Sequence, residues 1–141
     1  MKLINQSNNP TPSYQTLQSA GMDIHANIGQ QMIMTPGQTV VIPTGIFIEL
    51  SPGYEAQIRS RSGLAAKYSV VVLNSPGTID PDYRGEIKVI LANHSNSLYY
   101  IQPGDRIAQM VIAKYEQVIF EEVEELSQTE RGRGGLGSTG Q

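Results

Sequence analysis

The chain has 141 residues and a formal net charge of −3, with 39% hydrophobic and 16% charged residues. That length suits one domain with a real core, and 14 glycines and 8 prolines are more than a helix bundle tolerates, because Gly is entropically costly in a helix and Pro breaks one. The charge excludes a long basic footprint on nucleic acid, and the lack of cysteine excludes disulfides and thiolate metal sites.

In chain order, Met1-Lys2-Leu3-Ile4-Asn5-Gln6 turns polar before a signal-peptide core could form. No apolar run approaches the roughly 18 residues of a membrane span. The expected compartment is the cytoplasm, with no membrane partner. The sequon matches Asn5-Gln6-Ser7 and Asn93-His94-Ser95 read as chance without a secretory signal. His25 and His94 lie far apart and form no ligand-spaced pair.

Ala20 to Ala26 reads as a short strand with one carboxylate, Asp23. Four Pro-Gly dipeptides follow, at 36–37, 52–53, 76–77 and 103–104. Pro presets the second position of a type II turn and Gly supplies positive φ at the third. Between them run Val40 to Ile42 and Ile46 to Leu50, then Tyr54, Ala56 and Ile58 alternating with polar residues. Tyr68 to Leu73, Ile87 to Leu91, Leu98 to Ile101, Ile107 to Ile112 and Val118 to Phe120 complete the strand-like runs. About eight short strands at this spacing imply a sandwich, jelly roll or barrel. Ser62 to Lys67, with Ser62 as N-cap and two alanines, predicts one or two helical turns. Glu121 to Leu126 reads as an acidic, solvated edge. Ser127 to Gln141 is rich in Gly, with Leu136 its only large apolar residue. It cannot bury enough surface to fold alone, which predicts a flexible arm.

Five segments could carry chemistry. Arg59-Ser60-Arg61-Ser62-Gly63 suits an ordinary capped turn with surface arginines. It equally suits a phosphate, through charge-assisted Arg donors and the free N–H groups of a helix start. Gly77-Thr78-Ile79-Asp80-Pro81-Asp82-Tyr83-Arg84-Gly85 suits a hairpin turn. It also offers a carboxylate able to take a proton from water. In the tail, Gly132, Gly134 and Gly137 match G-x-G-x-x-G, but no strand precedes them. Gly132 to Thr139 nearly matches a P-loop, with Ser138 where Lys is required. Its arginines, hydroxyls and exposed N–H groups can still wrap a polyphosphate. Gly104 to Gln109 and Ala20 to Ala26 are, by themselves, structural.

Taken in this order and spacing, from Ala20 to Gly140, the five segments resemble the motifs of the trimeric deoxyuridine triphosphatases (dUTPases). The sharpest are Gly-x-Ile-Asp-x-Asp-Tyr-x-Gly and the Arg-Gly-x-Gly-Gly-x-Gly-Ser-Thr-Gly tail. The resemblance implies a distorted jelly-roll-like β-barrel with one short helix, over residues 1–126, and a C-terminal arm, 127–141, closing over the site. It implies a homotrimer with shared active sites. It also implies hydrolysis of dUTP to dUMP and pyrophosphate, which limits uracil in DNA and supplies dUMP for dTTP synthesis.

Residue by residue, the resemblance makes Asp80 the catalytic group that activates the attacking water. Tyr83 would pack on the deoxyribose and refuse a 2′-hydroxyl. Asn74, Gly77, Thr78 and Ile79 would form the uracil pocket. Arg61, Ser62, Gly63 and Gln109 would contact the phosphates. Arg131, Gly137, Ser138 and Thr139 would close over them. Mg²⁺ would be chelated mainly by the triphosphate, with Asp23 reaching it through water. Leu136 stands where many members carry a Phe that stacks on the base; Leu keeps apolar cover but loses the stacking contribution. A dCTP deaminase-like enzyme and a non-catalytic nucleotide-sensing protein on the same scaffold are the rival readings. The first needs a glutamate at the pyrimidine C4, and the second has no need for both Asp80 and the tail.

Overall fold

The computed structural model describes residues 1–135. In chain order they form β1 (Lys2–Asn5), β2 (Gly21–His25), β3 (Met32–Met34), β4 (Thr39–Glu49), β5 (Tyr54–Arg59), α1 (Ser62–Tyr68), β6 (Val70–Val72), β7 (Gly77–Ile79), β8 (Ile87–Asn93), β9 (Tyr99–Ile101) and β10 (Arg106–Lys114). One antiparallel sheet runs β1-β4-β8-β6, a second β2-β10-β5-β7, and β3 pairs with β9. These are the sheets of a jelly-roll-like architecture, as expected, although the described ladders do not close into a barrel.

Alternation builds the core. Ile42 on β4, Ile87, Val89 and Leu91 on β8, and Val70 on β6 turn inward from the first sheet, all at most 1% exposed. Ile24, Ala56, Ile107 and Ala108 do the same from the second. Each large aliphatic side chain so buried contributes about 1.5–3 kcal/mol. Leu64 is the one buried residue of α1.

Three of the four Pro-Gly turns form as expected. Gly37, Gly53 and Gly104 have φ of +75°, +82° and +82°. The N–H groups of Gln38, Tyr54 and Asp105 donate back to the carbonyls of Thr35, Ser51 and Gln102. The fourth differs: Ser75–Pro76 is cis and Gly77 opens β7.

Other expectations need correction. Ser62 is not the N-cap of α1; Arg61 is, in an extended conformation and without a side-chain cap. Tyr68 ends the helix instead of starting a strand, because Ser69 adopts the left-handed conformation at φ +53°. Val118 to Phe120 forms no strand; Ile119 is 100% exposed, since no edge among the described residues pairs with it. Gly77 to Gly85 does not close a hairpin, because β7 and β8 lie in different sheets. Glu121 to Leu126 is exposed and irregular, as expected.

Asn93, the first residue of one sequon match, is fully buried. Its Nδ2 donates to the carbonyls of Met34, Thr35 and Ser97, and its Oδ1 accepts from the N–H and Oγ of Ser95. It ties the end of β8 to β3 and to the loop before β9. Asn93→Ala leaves these groups without partners and is expected to cost about 3 kcal/mol, because orphaned buried polar groups carry the full desolvation penalty. Urea unfolding measures this. A loss under about 1 kcal/mol would mean that water replaces the side chain.

Candidate active site

The expected site residues fall into two groups. The first gathers at one end of the second sheet. The central strand β10 sets Gln109 opposite both Asp23 on β2 and Arg59 on β5. Gln109 Nε2 donates to the carbonyl of Ser60 at 2.9 Å. Arg61, at the entry to α1, donates from Nε to Asp23 Oδ1 at 3.0 Å and from Nη1 to the carbonyl of Arg106 at 2.9 Å. Arg106 Nη1 meets the other Asp23 oxygen at 3.2 Å. Asp23 therefore holds two guanidinium groups, and Arg61 keeps further N–H donors for an anion. Ser62 and Gly63, exposed on the first turn of α1, lie next to Arg61.

Two hollows flank this clamp. One, of about 440 Å³, is lined by Arg61, Leu64, Tyr68, Tyr99, Asp105 and Arg106 among others. The other, of about 310 Å³, includes Thr11, Ser13, Asp23, His25 and Arg106. In the first, burial pushes the Tyr99 phenol above its ordinary pKa, and the Asp105 charge adds to the shift.

The second group surrounds β7. Asn74 is exposed on the crossing between sheets, and its Nδ2 lies 3.0 Å from where a Cβ on Gly77 would sit. A side chain at Gly77 would therefore crowd Asn74. Thr78 and Ile79 follow on β7, opposite Gln57 and Ala56 of β5. The Tyr83 N–H then donates to the Asp80 carbonyl at 3.2 Å, closing a turn over Pro81 and Asp82. The turn presents the acid and the phenol together at the surface. Among the described residues none hydrogen-bonds the Asp80 carboxylate. A hollow of about 480 Å³ lies beside it, lined by Glu55, Asp80, Pro81, Asp82, Tyr115 and Gln117. Tyr83 Oη donates to the carbonyl of Glu86 at 3.0 Å. Gly85 permits this, because a Cβ there would overlap the phenol.

One chain brings part of the second group close to the first, since the Ser60 N–H donates to Ser75 Oγ at 3.3 Å, beside Asn74, and Gly77 pairs with Ile58. The Asp80–Tyr83 turn lies apart, past the other end of β7. Ile79 faces Ala56, three residues before Arg59 at the end of β5, after which the chain enters α1 through Arg61. At the strand rise per residue that separation is about 10 Å, and Asp80 lies beyond Ile79 on the side away from Arg59. None of the three hollows contains residues of both groups. Of the tail, Arg131 is described: it is exposed, and its Nε donates to the Gly134 carbonyl at 2.9 Å. Leu136, Gly137, Ser138 and Thr139 lie outside the described residues.

Tyr115 and Gln117 belong to these surroundings and were missed in sequence, while Ser60 and Arg106 lie inside quoted segments but were given no role of their own. Arg106 had one available signal, as the cation that follows the Pro103-Gly104 turn into a strand. Its partner Asp23 depends on a pairing that the sequence does not spell out.

The comparisons agree with the motif order. The dUTPase family model matches residues 7–140. A deoxyuridine 5'-triphosphate nucleotidohydrolase of Cytophaga hutchinsonii is 59% identical over 99% of this chain and 91% of its own length. One from Chlamydia trachomatis serovar L2 is 55% identical over 96% of this chain and 94% of its own. Among solved structures, a Staphylococcus bacteriophage 80alpha dUTPase mutant with dUpNHpp superposes at a TM-score of 0.88, with 26% identity, over 99% of this chain and 97% of that one. A dUTPase mutant from phage phi11 of S. aureus, described with a structural Mg(II) ion, superposes at 0.80 with 23% identity over 90% and 98%. Matched over nearly its whole length, and more than half identical to these relatives, the chain belongs to the dUTPase family.

Proposed function

We propose that this protein is a dUTP diphosphatase that hydrolyses dUTP to dUMP and pyrophosphate in the cytoplasm. The observation that carries the reading is the Asp80–Tyr83 turn, which puts an exposed carboxylate and an exposed tyrosine on one tight turn in a chain with this family's motifs. No helix among the described residues is long and apolar enough to cross a membrane.

In the proposed mechanism Asp80 accepts a proton from a water molecule whose oxygen attacks the α-phosphorus. The new O–Pα bond forms as the bond from Pα to the α,β-bridging oxygen breaks, and pyrophosphate leaves. Arg61 and Gln109, with the first-turn N–H groups of Ser62 and Gly63, orient the phosphates and stabilise the charge that develops on them. Asn74 and the backbone of Gly77, Thr78 and Ile79 pair with uracil, while Tyr83 covers the deoxyribose. Residues 127–141 act as an arm that brings Arg131, Leu136, Gly137, Ser138 and Thr139 over the nucleotide.

The donor set fits Mg²⁺ held mainly by the triphosphate. Both Asp23 oxygens already accept from guanidinium groups, leaving Asp23 lone pairs for an intervening water. No cluster of three potential ligands occurs among the described residues. When bound, the ion would neutralise charge on the departing pyrophosphate.

Because the Asp80–Tyr83 turn and the Arg61 clamp line separate hollows within one chain, the proposal assembles each site between copies in a homotrimer. Two exposed apolar surfaces support self-association. Val41 and Leu73, each more than half exposed, lie on the outer side of the first sheet, and Val118, Ile119 and Phe120 extend from the body. Contiguous exposed apolar side chains are what an association surface would cover.

Pyrophosphate release measured with dUTP, dTTP, dCTP and UTP, with and without Mg²⁺, tests the reading. Release from dUTP at least about 100-fold faster than from the others is expected, since a site built to pair one base edge rejects the rest. Ammonia released from dCTP would instead support the deaminase reading.

A further inference from the structure

A tyrosine can choose between sugars only if its ring is held still. Tyr83 is 44% exposed, and its hydroxyl donates to a backbone carbonyl, that of Glu86. What fixes Tyr83 is therefore whatever fixes Glu86. This residue immediately precedes β8, and its side chain reaches across to β4. Glu86 Oε1 accepts the N–H of Thr44 at 3.1 Å and that of Gly45 at 2.9 Å. The pairing of β4 with β8 shifts register between Pro43 and Ile46. The shift takes these two N–H groups out of the regular ladder, and the carboxylate supplies their acceptor. Gly45 has φ of +69° there. From the other side Thr44 Oγ1 donates to the carbonyl of Ile87 at 2.6 Å. Backbone 86–87 is thus fastened to the bulge twice, once through each residue. The Glu86 side chain is 22% exposed, and Lys88 Nζ lies 4.0 Å from its second oxygen.

We propose that Glu86 is a positioning residue for sugar selection. Its carboxylate clamps the β4 bulge, which fixes the carbonyl that holds the Tyr83 phenol and so the clearance left beside C2′ of the nucleotide. The inference rests on the reading that Tyr83 faces the deoxyribose. It adds a residue on the far side of the turn, outside the nucleotide contacts.

The test compares kcat/KM for dUTP and UTP in the wild type, Glu86→Ala, Glu86→Gln, Tyr83→Phe and Tyr83→Ala, with a melting curve for each. Glu86→Ala is expected to lower the dUTP-to-UTP preference about fivefold to tenfold, the scale of one lost orienting hydrogen bond. Glu86→Gln keeps an oxygen that accepts both N–H groups and is expected to restore the preference. Tyr83→Phe removes the phenol bond directly and is expected to reproduce the loss at unchanged melting temperature, so the test survives if Glu86→Ala folds poorly. A merely structural Glu86 would slow both nucleotides alike and leave their ratio intact. An unchanged ratio in Tyr83→Phe, or in a folded Glu86→Ala, overturns the proposal while Tyr83→Ala still loses selectivity. If Tyr83→Ala also keeps the wild-type ratio, the placement of Tyr83 on the sugar fails, and the clamp's role falls with it.

Discussion

Asp80→Asn is expected to lower kcat for dUTP by about 10³-fold or more, the upper range for removing a general base, while the nucleotide still binds. The carboxylate is exposed, and none of the hydrogen bonds of its turn runs through it. The amide keeps the shape and loses only the ability to take a proton. Calorimetry with dUpNHpp should give a Kd within a few-fold of wild type. Loss of binding and turnover together would make Asp80 structural. The same variant tests the shared site. Arg61→Ala is expected to be inactive through lost phosphate contacts. Refolding it together with Asp80→Asn in equal amounts should recover about a quarter of wild-type activity, because random assembly gives that fraction of sites an intact Asp80 from one copy and an intact Arg61 from another. No recovery would place both residues of a working site in one chain, against the separate hollows that Asp80 and Arg61 line.

How far the sequence could be read depended on the length of each pattern. Tyr54 to Arg59 alternates long enough for a period of two to show, Ile87 to Leu91 stands out as an apolar run, and both are strands with buried positions. The three-residue strands Met32–Met34 and Gly77–Ile79 are too short to display any period. Val118 to Phe120 has strand-forming residues but no partner edge among the described residues, so propensity alone does not make a strand. The site shows the same division. Each motif was visible as a run of residues. That Asp23 grips both Arg61 and Arg106, or that Asp80 lines a different hollow from them, depends on the order β2-β10-β5-β7, a tertiary fact that no local pattern encodes. Glu86 went unnoticed because its partners, Thr44 and Gly45, are distant in sequence and offer only backbone N–H groups.

Deleting Thr129 to Gln141 is expected to reduce kcat for dUTP about 100-fold without lowering the melting temperature. The stability half follows from packing. The core cluster and the residues packed against it end at Ile112. The described residues 116 to 133 are exposed, and the bonds made by Thr129 to Gly134 stay within that segment. Their removal takes nothing from the sheets. The catalytic half follows from the balance between ordering and contact. A glycine-rich arm loses more backbone freedom on closing than an average segment, so its closure must be driven by bonds to the nucleotide. A polyphosphate that collects Arg131 and the tail hydroxyls supplies charge-assisted bonds strong enough to offset that cost. Closure then excludes water and fixes the reacting phosphate. If those bonds strengthen as charge builds on the departing pyrophosphate, the truncation lowers kcat more than it raises KM. A loss confined to KM would make the arm a binding strap, and full activity in the truncated protein would remove it from the mechanism altogether.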